Sequence, residues 1–238
     1  MGVEVPRFYI WQEDNGDERA VYTSERKLVD YAEMSPHCII SPWGPTLDNT
    51  DSSSPKLRCV KNTTANFRGG TGASTWDSDA AATYRGTLGK PKTNITRATA
   101  GTYARNNNTE LLSYTQYKNI IYWLYVIEYA NFNSQAAFNS SLTTERYRQG
   151  GLGDGVTTVD YNYWGYYNSW NPLTPCGYYN EIGNGTGVKA MQITMPTTSG
   201  GTPSQVYNLN VPRWRGIENP FGDYWKNLDG IVIVRPVA

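Results

Sequence analysis

The chain has 238 residues, enough for one large domain with its own hydrophobic core, and its 21 Lys and Arg balance 21 Asp and Glu. Because this balance gives no positive field that would attract phosphates, it argues against nucleic acid as a partner. The three cysteines, Cys38, Cys59 and Cys176, are far apart and form no CxxC pair, so they indicate neither a disulfide framework nor a zinc site.

The first 40 residues predict a short β-rich segment. The runs RFYIW and AVYT flank QEDNGDER, in which Asn15-Gly16 favours a tight turn, so a β-hairpin is expected. The acidic residues around this turn lack the alternating ligand spacing of a calcium loop, which favours a solvated hairpin tip. We predict that residues 1–40 form an N-terminal attachment segment and that residues 41–238 form the main domain.

The stretch from Ser113 to about Phe138 predicts the main helix. Gln116 lies three residues after Ser113, as in a capping box, and apolar side chains follow at helical spacing. Further aromatic residues widen this apolar face, so we expect a helix buried over much of its circumference. The apolar run Ile120–Ala130 is about half of the roughly 20 residues that a membrane-spanning helix needs, and no signal-peptide pattern opens the chain. A soluble protein without membrane insertion is expected.

Tyrosine and tryptophan are unusually frequent, with 19 Tyr and 8 Trp against 5 Phe. Their rings combine an apolar body with a polar tip, which is typical of half-wet binding surfaces and also of loop-rich folds. The densest concentration lies in DYNYWGYYNSW, where we predict a surface for carbohydrate or protein; rings that only fill gaps between loops are the alternative. The candidate ligand-binding residues are Tyr161, Tyr163, Trp164, Tyr166, Tyr167 and Trp170.

The C-terminal part predicts further strands. VKAMQITMP and QVYNLNVP indicate two strands joined by the turn TTSGGTPS, and GIVIVRPV indicates a closing strand. Together with the helical stretch, these elements predict an α+β protein with short strands, one or two helices and long ordered loops.

Four ordered motifs between residues 57 and 230 carry a family resemblance. RGIENPFGDYWKNLDG resembles the Gly-Asn-Val-Trp-Glu-Trp signature of the C-type-lectin fold, in the branch shared by formylglycine-generating enzymes and the variable proteins of diversity-generating retroelements. TYARNNNTELLSYTQYKNIIYWLYVIEYANFNSQAAFN, YRQGGLGDGVT and PCGYYNEIGNGTG are similar to a subgroup found in bacteriophage tail or receptor-binding proteins and in proteins of gut bacteria. The resemblance implies a C-type-lectin-like fold for residues 41–238.

The signature segment also has a physical interpretation as a structural corner. Its glycines and proline suit turns, its rings can be buried, and Asn219 and Asp229 can hydrogen-bond loop backbone. Direct contact with a ligand is the alternative. The residues of this structural motif are Arg215, Gly216, Asn219, Pro220, Phe221, Gly222, Trp225 and Asp229.

Catalysis by the chemistry of related enzymes is not expected. Formylglycine-generating enzymes need a reactive cysteine pair late in the fold, whereas the last cysteine here is Cys176. The related iron-dependent sulfoxide synthases use several histidines, and His37 is the only one in this chain. We therefore expect no catalytic residues, no metal and no cofactor. A carboxylate-dependent glycoside hydrolase stays an alternative, with candidate acids near the aromatic cluster at Asp154, Asp160 and Glu181.

The resemblance implies a non-enzymatic phage virion protein, made in the bacterial cytoplasm and exposed on the particle surface. The expected role is that of a receptor-binding or tail-fibre adhesion module, forming a homo-oligomer that contacts other virion proteins and a cell-surface glycan or receptor. A structural fibre or decoration subunit is the alternative. In the retroelement branch the diversified ligand-binding residues follow the Trp-containing signature, so that site is not transferred to positions of this chain.

Overall fold

A computed structural model describes most of the N-terminal half of the chain and parts of the C-terminal half. Within these residues short antiparallel strands predominate over a few short helices, which confirms the predicted α+β class. The described residues are 2–48, 51–59, 92, 95–123, 128, 138–144, 146, 148–150, 176–177, 185–198, 201–220 and 226–231.

The N-terminal segment forms two small antiparallel sheets, one with strand order β3-β2-β4 and one pairing β1 with β5. The predicted hairpin is confirmed, because Asn15 and Gly16 lie in the turn between β2 and β3, where Gly16 has a φ of 92°. The strands are β1 (Val3–Val5), β2 (Phe8–Asp14), β3 (Arg19–Ser24), β4 (Glu33–Ser35) and β5 (Cys38–Ile40).

A two-stranded sheet and a short helix follow. Strand β6 (Thr46–Asp48) pairs with β7 (Lys56–Arg58), and helix α1 spans Arg97–Arg105. Thr96 caps the start of α1, because its Oγ1 accepts a hydrogen bond of 3.2 Å from the Thr99 amide. After the helix, the Asn106 side chain donates a 2.8 Å bond to the Pro55 carbonyl, which joins the helix end to the strand pair.

The helix predicted from Ser113 starts as expected but differs further on. Ser113 and Gln116 form the capping box of helix α2 (Tyr114–Gln116), and a π-helical stretch, Tyr117–Trp123, continues it. Strand β8 (Phe138–Leu142) already begins at Phe138, so the predicted helical end there is wrong. Spacing alone does not separate an α-helix from the wider π-helical winding, in which each bond spans one residue more. Leu124, Ile127 and their neighbours lie outside the described residues, apart from Glu128.

The two predicted C-terminal strands are confirmed. Strand β8 pairs with β9 (Arg148–Gly150), whereas β10 (Gly187–Pro196) and β11 (Pro203–Trp214) form a long hairpin that ends in β12 (Ile217–Glu218). Most of the predicted closing strand GIVIVRPV lies outside the described residues.

One buried cluster joins the two ends of the described chain. Ile40 from β5 packs with Ile120 and Ile121 of the π-helical stretch and with Trp214 and Ile217 from the C-terminal hairpin. Partly buried side chains from β1, β2 and the α2 region pack against it. The predicted boundary after residue 40 stays a prediction, but the strands before it share a hydrophobic core with residues far along the chain.

The turn between β11 and β12 leads to a stability prediction. Arg215 and Gly216 have φ values of 46° and 85°, and Trp214 lies opposite Ile217, as in a two-residue turn of type I′. Because a Cβ is disfavoured at such a φ, Gly216→Ala is expected to lower the free energy of unfolding by about 1–2 kcal/mol. Urea denaturation followed by circular dichroism measures this change.

Gly101→Ala in helix α1 is the matched control. The added Cβ would lie 3.2 Å from Nη1 at the flexible end of Arg105, and alanine favours a helix interior. This variant is expected to keep or raise stability. Equal stability of the Gly216 and Gly101 variants would contradict the argument from φ.

Candidate functional site

The predicted ligand-binding residues lie outside the described part of the chain. This holds for Tyr161, Tyr163, Trp164, Tyr166, Tyr167 and Trp170, and equally for Asp154, Asp160 and Glu181, so their roles stay predictions. Of the structural motif, Phe221, Gly222 and Trp225 also lie outside it. Arg215, Gly216, Asn219, Pro220 and Asp229 are described.

A carboxylate holds the start of the motif in place. The Trp214 ring is completely buried, and its Nε1 donates a 2.8 Å hydrogen bond to Oε2 of Glu128. The other oxygen of Glu128 accepts a hydrogen bond from Nε of Arg215. Glu128 therefore binds two consecutive residues of the turn, one through a neutral donor and one through a charged donor. This contact joins segments more than 80 residues apart in sequence.

A second carboxylate, which is buried, lies on the other side of the turn. Glu218 is 4% exposed, and its Oε1 accepts a 2.8 Å hydrogen bond from the backbone amide of Gly177. The amide of Glu218 donates a 2.7 Å bond to the Pro42 carbonyl. Glu218 of β12 thus holds the chain at Gly177 and the chain at Pro42 against the C-terminal hairpin.

The remaining described motif residues also hold chain segments together. Lys226 Nζ donates to the carbonyls of Asn219 and Pro220, at 3.1 and 2.6 Å. The backbone of Asp229 bonds that of Leu112 and Tyr114, and its Oδ1 accepts a 2.6 Å bond from Arg97 Nη1. Asn219 accepts the bond from Lys226 through its main-chain oxygen. These are the contacts of a corner that keeps loops in place.

The described residues group no set of metal ligands and include no helix that could span a membrane. In that part of the chain no three His, Cys, Asp or Glu side chains are grouped to hold a metal ion. His37 instead lies on the surface, with its Nε2 3.1 Å from Oε1 of Glu4. No described helix is long and apolar enough to cross a membrane.

None of the three cysteines forms a disulfide, and the environment of Cys38 and Cys59 predicts low reactivity. Burial raises the pKa of Cys38 and of Cys59, although hydrogen bonds with Gln116 and Ser41 lower it in part. Because the thiolate is the reactive form, both are expected to react more slowly with a disulfide reagent at about pH 8 in the native protein than in the urea-unfolded chain. Single Cys→Ser variants assign the rates, and equal native and unfolded rates would contradict this prediction.

An exposed aromatic surface, which the sequence interpretation did not single out, lies on the N-terminal sheet. Trp11 and Tyr22 are opposite each other on β2 and β3, and their rings stack with centroids 5.2 Å apart and planes 16° apart. Oε1 of Glu13 accepts hydrogen bonds of 3.1 Å from Trp11 Nε1 and from the Tyr31 hydroxyl. We call the following set the aromatic face: Tyr9, Trp11, Glu13, Tyr22, Tyr31 and Met34.

The signal for this surface was present in the strand alternation. In FYIWQED every second residue, Tyr9, Trp11 and Glu13, points away from the side that holds the buried Ile10. The partners opposite Tyr9 are Ser24 and Met34. Combining the alternation with the hairpin register brings Tyr22 beside Trp11.

Comparison with known proteins adds no relative, because no family model, curated protein or solved structure matches the chain. The C-type-lectin-like prediction therefore continues to rest on the four sequence motifs.

Proposed function

We propose that the chain is a non-enzymatic binding module of a phage virion, with a C-type-lectin-like fold, that recognises a carbohydrate or protein on a bacterial cell surface. The observation that carries the binding role is the aromatic face. Tyr22, Tyr31 and Met34 are 41, 64 and 48% exposed, and Trp11 between them is half-buried. Clustered Tyr, Trp and Met side chains on a surface are typical of interaction sites.

The sheet that carries this face is anchored from behind. On its opposite side Ile10 is buried and Phe8 packs against the core cluster. Glu33 of β4 accepts bonds from Lys118 Nζ at 2.6 Å and from Asn119 Nδ2 at 3.1 Å, which fix the sheet to the π-helical stretch. A held surface of this kind loses little conformational entropy on binding, which favours recognition.

Several described carboxylates support a structural use of acidic residues over a catalytic one. Glu33, Glu128, Glu218 and Asp229 each accept hydrogen bonds from other parts of the chain. The glycoside hydrolase alternative depends on Asp154, Asp160 and Glu181, and it predicts release of sugar from a glycan on prolonged incubation.

The structural fibre or decoration subunit is the second candidate. Its supporting observation is the same exposed surface, because a face rich in Tyr, Trp and Met also suits a permanent contact between subunits. It predicts that the face is covered in the assembled particle and that the isolated protein does not attach to cells.

The test is binding of labelled, purified protein to intact bacterial cells and to a glycan panel, comparing wild type with Trp164→Ala, Tyr166→Ala and Trp11→Ala. Tyr114→Ala is the matched control, because Tyr114 is an exposed tyrosine outside the aromatic face. Saturable binding by wild type and the control, weakened in at least one of the three variants, supports the adhesion role. A folded wild-type oligomer that binds no cell and no glycan supports the structural subunit.

A further inference from the structure

The geometry of the aromatic face points to a neutral saccharide as its ligand, an inference that rests on the proposed binding function and specifies its ligand. We propose that a sugar ring packs on the paired rings of Trp11 and Tyr22 and donates a hydroxyl hydrogen bond to Glu13. The residues of this site differ from those at positions 161–170 that the sequence singled out.

The shape of the ring pair suits a sugar ring. Trp11 and Tyr22 come from neighbouring strands and stack on each other, so each ring covers one face of the other and the pair offers its outer faces and edges as an apolar surface. A pyranose ring presents C–H groups that pack against aromatic rings, while its hydroxyls stay hydrated or meet polar groups at the rim. The hydroxyl of Tyr22 and the Glu13 carboxylate supply such polar groups.

The carboxylate of Glu13 is oriented so that it can accept a hydrogen bond beside the rings. Trp11 Nε1 and the Tyr31 hydroxyl both donate to Oε1 of Glu13, and Tyr31 comes from the connection between β3 and β4. Two donors from different segments hold the carboxylate next to the rings. Within the described residues no side chain donates to Oε2, so that oxygen can accept a hydrogen bond from a sugar hydroxyl. The ligand must therefore bring hydrogen-bond donors.

The charge of the aromatic face favours a neutral ligand. Glu13 is the one charged residue of the aromatic face, and the β3 residues opposite Tyr9, Trp11 and Glu13 are Ser24, Tyr22 and Ala20. An anionic glycan would be repelled by Glu13, which has no adjoining cation on these positions. A polybasic peptide could form only one ion pair on this face, with Glu13, because the other side chains of the face are neutral. A neutral polyhydroxylated ring fits both the apolar surface and the single acceptor.

The test measures binding of neutral hexose and N-acetylhexosamine oligosaccharides by calorimetry, with Trp11→Ala, Tyr22→Ala and Glu13→Gln as variants. We expect at least about tenfold weaker binding for Trp11→Ala and about fivefold to tenfold for Glu13→Gln, because the first removes the stacking surface and the second the charged acceptor. Tyr114→Ala should bind as wild type does. Circular dichroism establishes that each variant is folded, and if Trp11→Ala is not, Glu13→Gln decides.

Cell binding separates the possible ligands. Periodate treatment of the cells, which cleaves sugar diols, should abolish binding, whereas protease treatment should leave it unchanged. Affinity should change little between low and high salt, because the ligand carries no charge. A steep loss of affinity with salt, or loss after protease but not after periodate, overturns the saccharide assignment.

The two proposals fail in different ways. If wild type binds cells and the Trp11 and Glu13 variants bind equally well, the saccharide site on the aromatic face is wrong while the adhesion function stands. If wild type binds neither cells nor any glycan, both proposals fail.

Discussion

Replacing Trp214 by alanine is expected to lower the free energy of unfolding by about 3–5 kcal/mol. The ring is completely buried in the cluster that joins β5, the π-helical stretch and the C-terminal hairpin. Its removal leaves a cavity that Ile40, Ile120 and Ile217 border, and also removes the donor to Glu128. Urea denaturation followed by far-ultraviolet circular dichroism measures the loss.

Trp214→Phe separates packing from hydrogen bonding. Phenylalanine retains much of the apolar volume but has no donor for Oε2 of Glu128, so its loss should be clearly smaller than that of alanine. Val206→Ala, at an exposed position of the same strand, is the control and should change stability little. A Trp214→Ala protein as stable as Val206→Ala would contradict the central place of this ring in the core.

Replacing Glu218 by alanine is expected to cost about 2–3 kcal/mol of folding free energy, because it leaves the buried amide of Gly177 without its carboxylate acceptor. The short side chain also leaves space next to the connection at Cys176. The effect should extend beyond β12, so hydrogen exchange at Gly177 should become faster. Thermal and urea unfolding give the stability change, and exchange measured by mass spectrometry locates it.

Glu218→Gln is the informative comparison. The amide keeps an oxygen of similar position that can accept from Gly177, although without charge, so its loss should be smaller than that of alanine. Equal losses for the two variants would show that the negative charge, and not the hydrogen bond to Gly177, is what stabilises this corner.

The sequence predicted those parts of the fold that depend on residues close together in the chain, and not those that depend on residues far apart. The capping box at Ser113 and the hairpin turn at Asn15-Gly16 were predictable, because the residues concerned are within a few positions of each other. The π-helical winding after Gln116 was not. Lys118 and Asn119 donate hydrogen bonds to Glu33, which lies about 85 positions earlier in the chain, and no local pattern in the sequence predicts such a pair.

The same distinction between local and long-range contacts applies to the candidate site. Turn residues such as Gly216 and Pro220 predicted a corner, but nothing local identified Glu128 or Gly177 as its hydrogen-bond partners. For the aromatic face, alternation and hairpin register were sufficient to place Tyr22 beside Trp11. The hydrogen bond from the Tyr31 hydroxyl to Glu13, by contrast, depends on the path of the connection that leads to β4.

By itself the sequence determined the α+β class, the hairpins, the capping box and the poverty in histidine and paired cysteine that disfavours metal chemistry. These features follow from composition and from interactions between residues close in the chain. The tertiary structure alone decided which carboxylates hold the corner and that the N-terminal strands share a core with Trp214. Such contacts depend on burial and hydrogen bonding between segments that only folding brings together, so residue order contains no local trace of them.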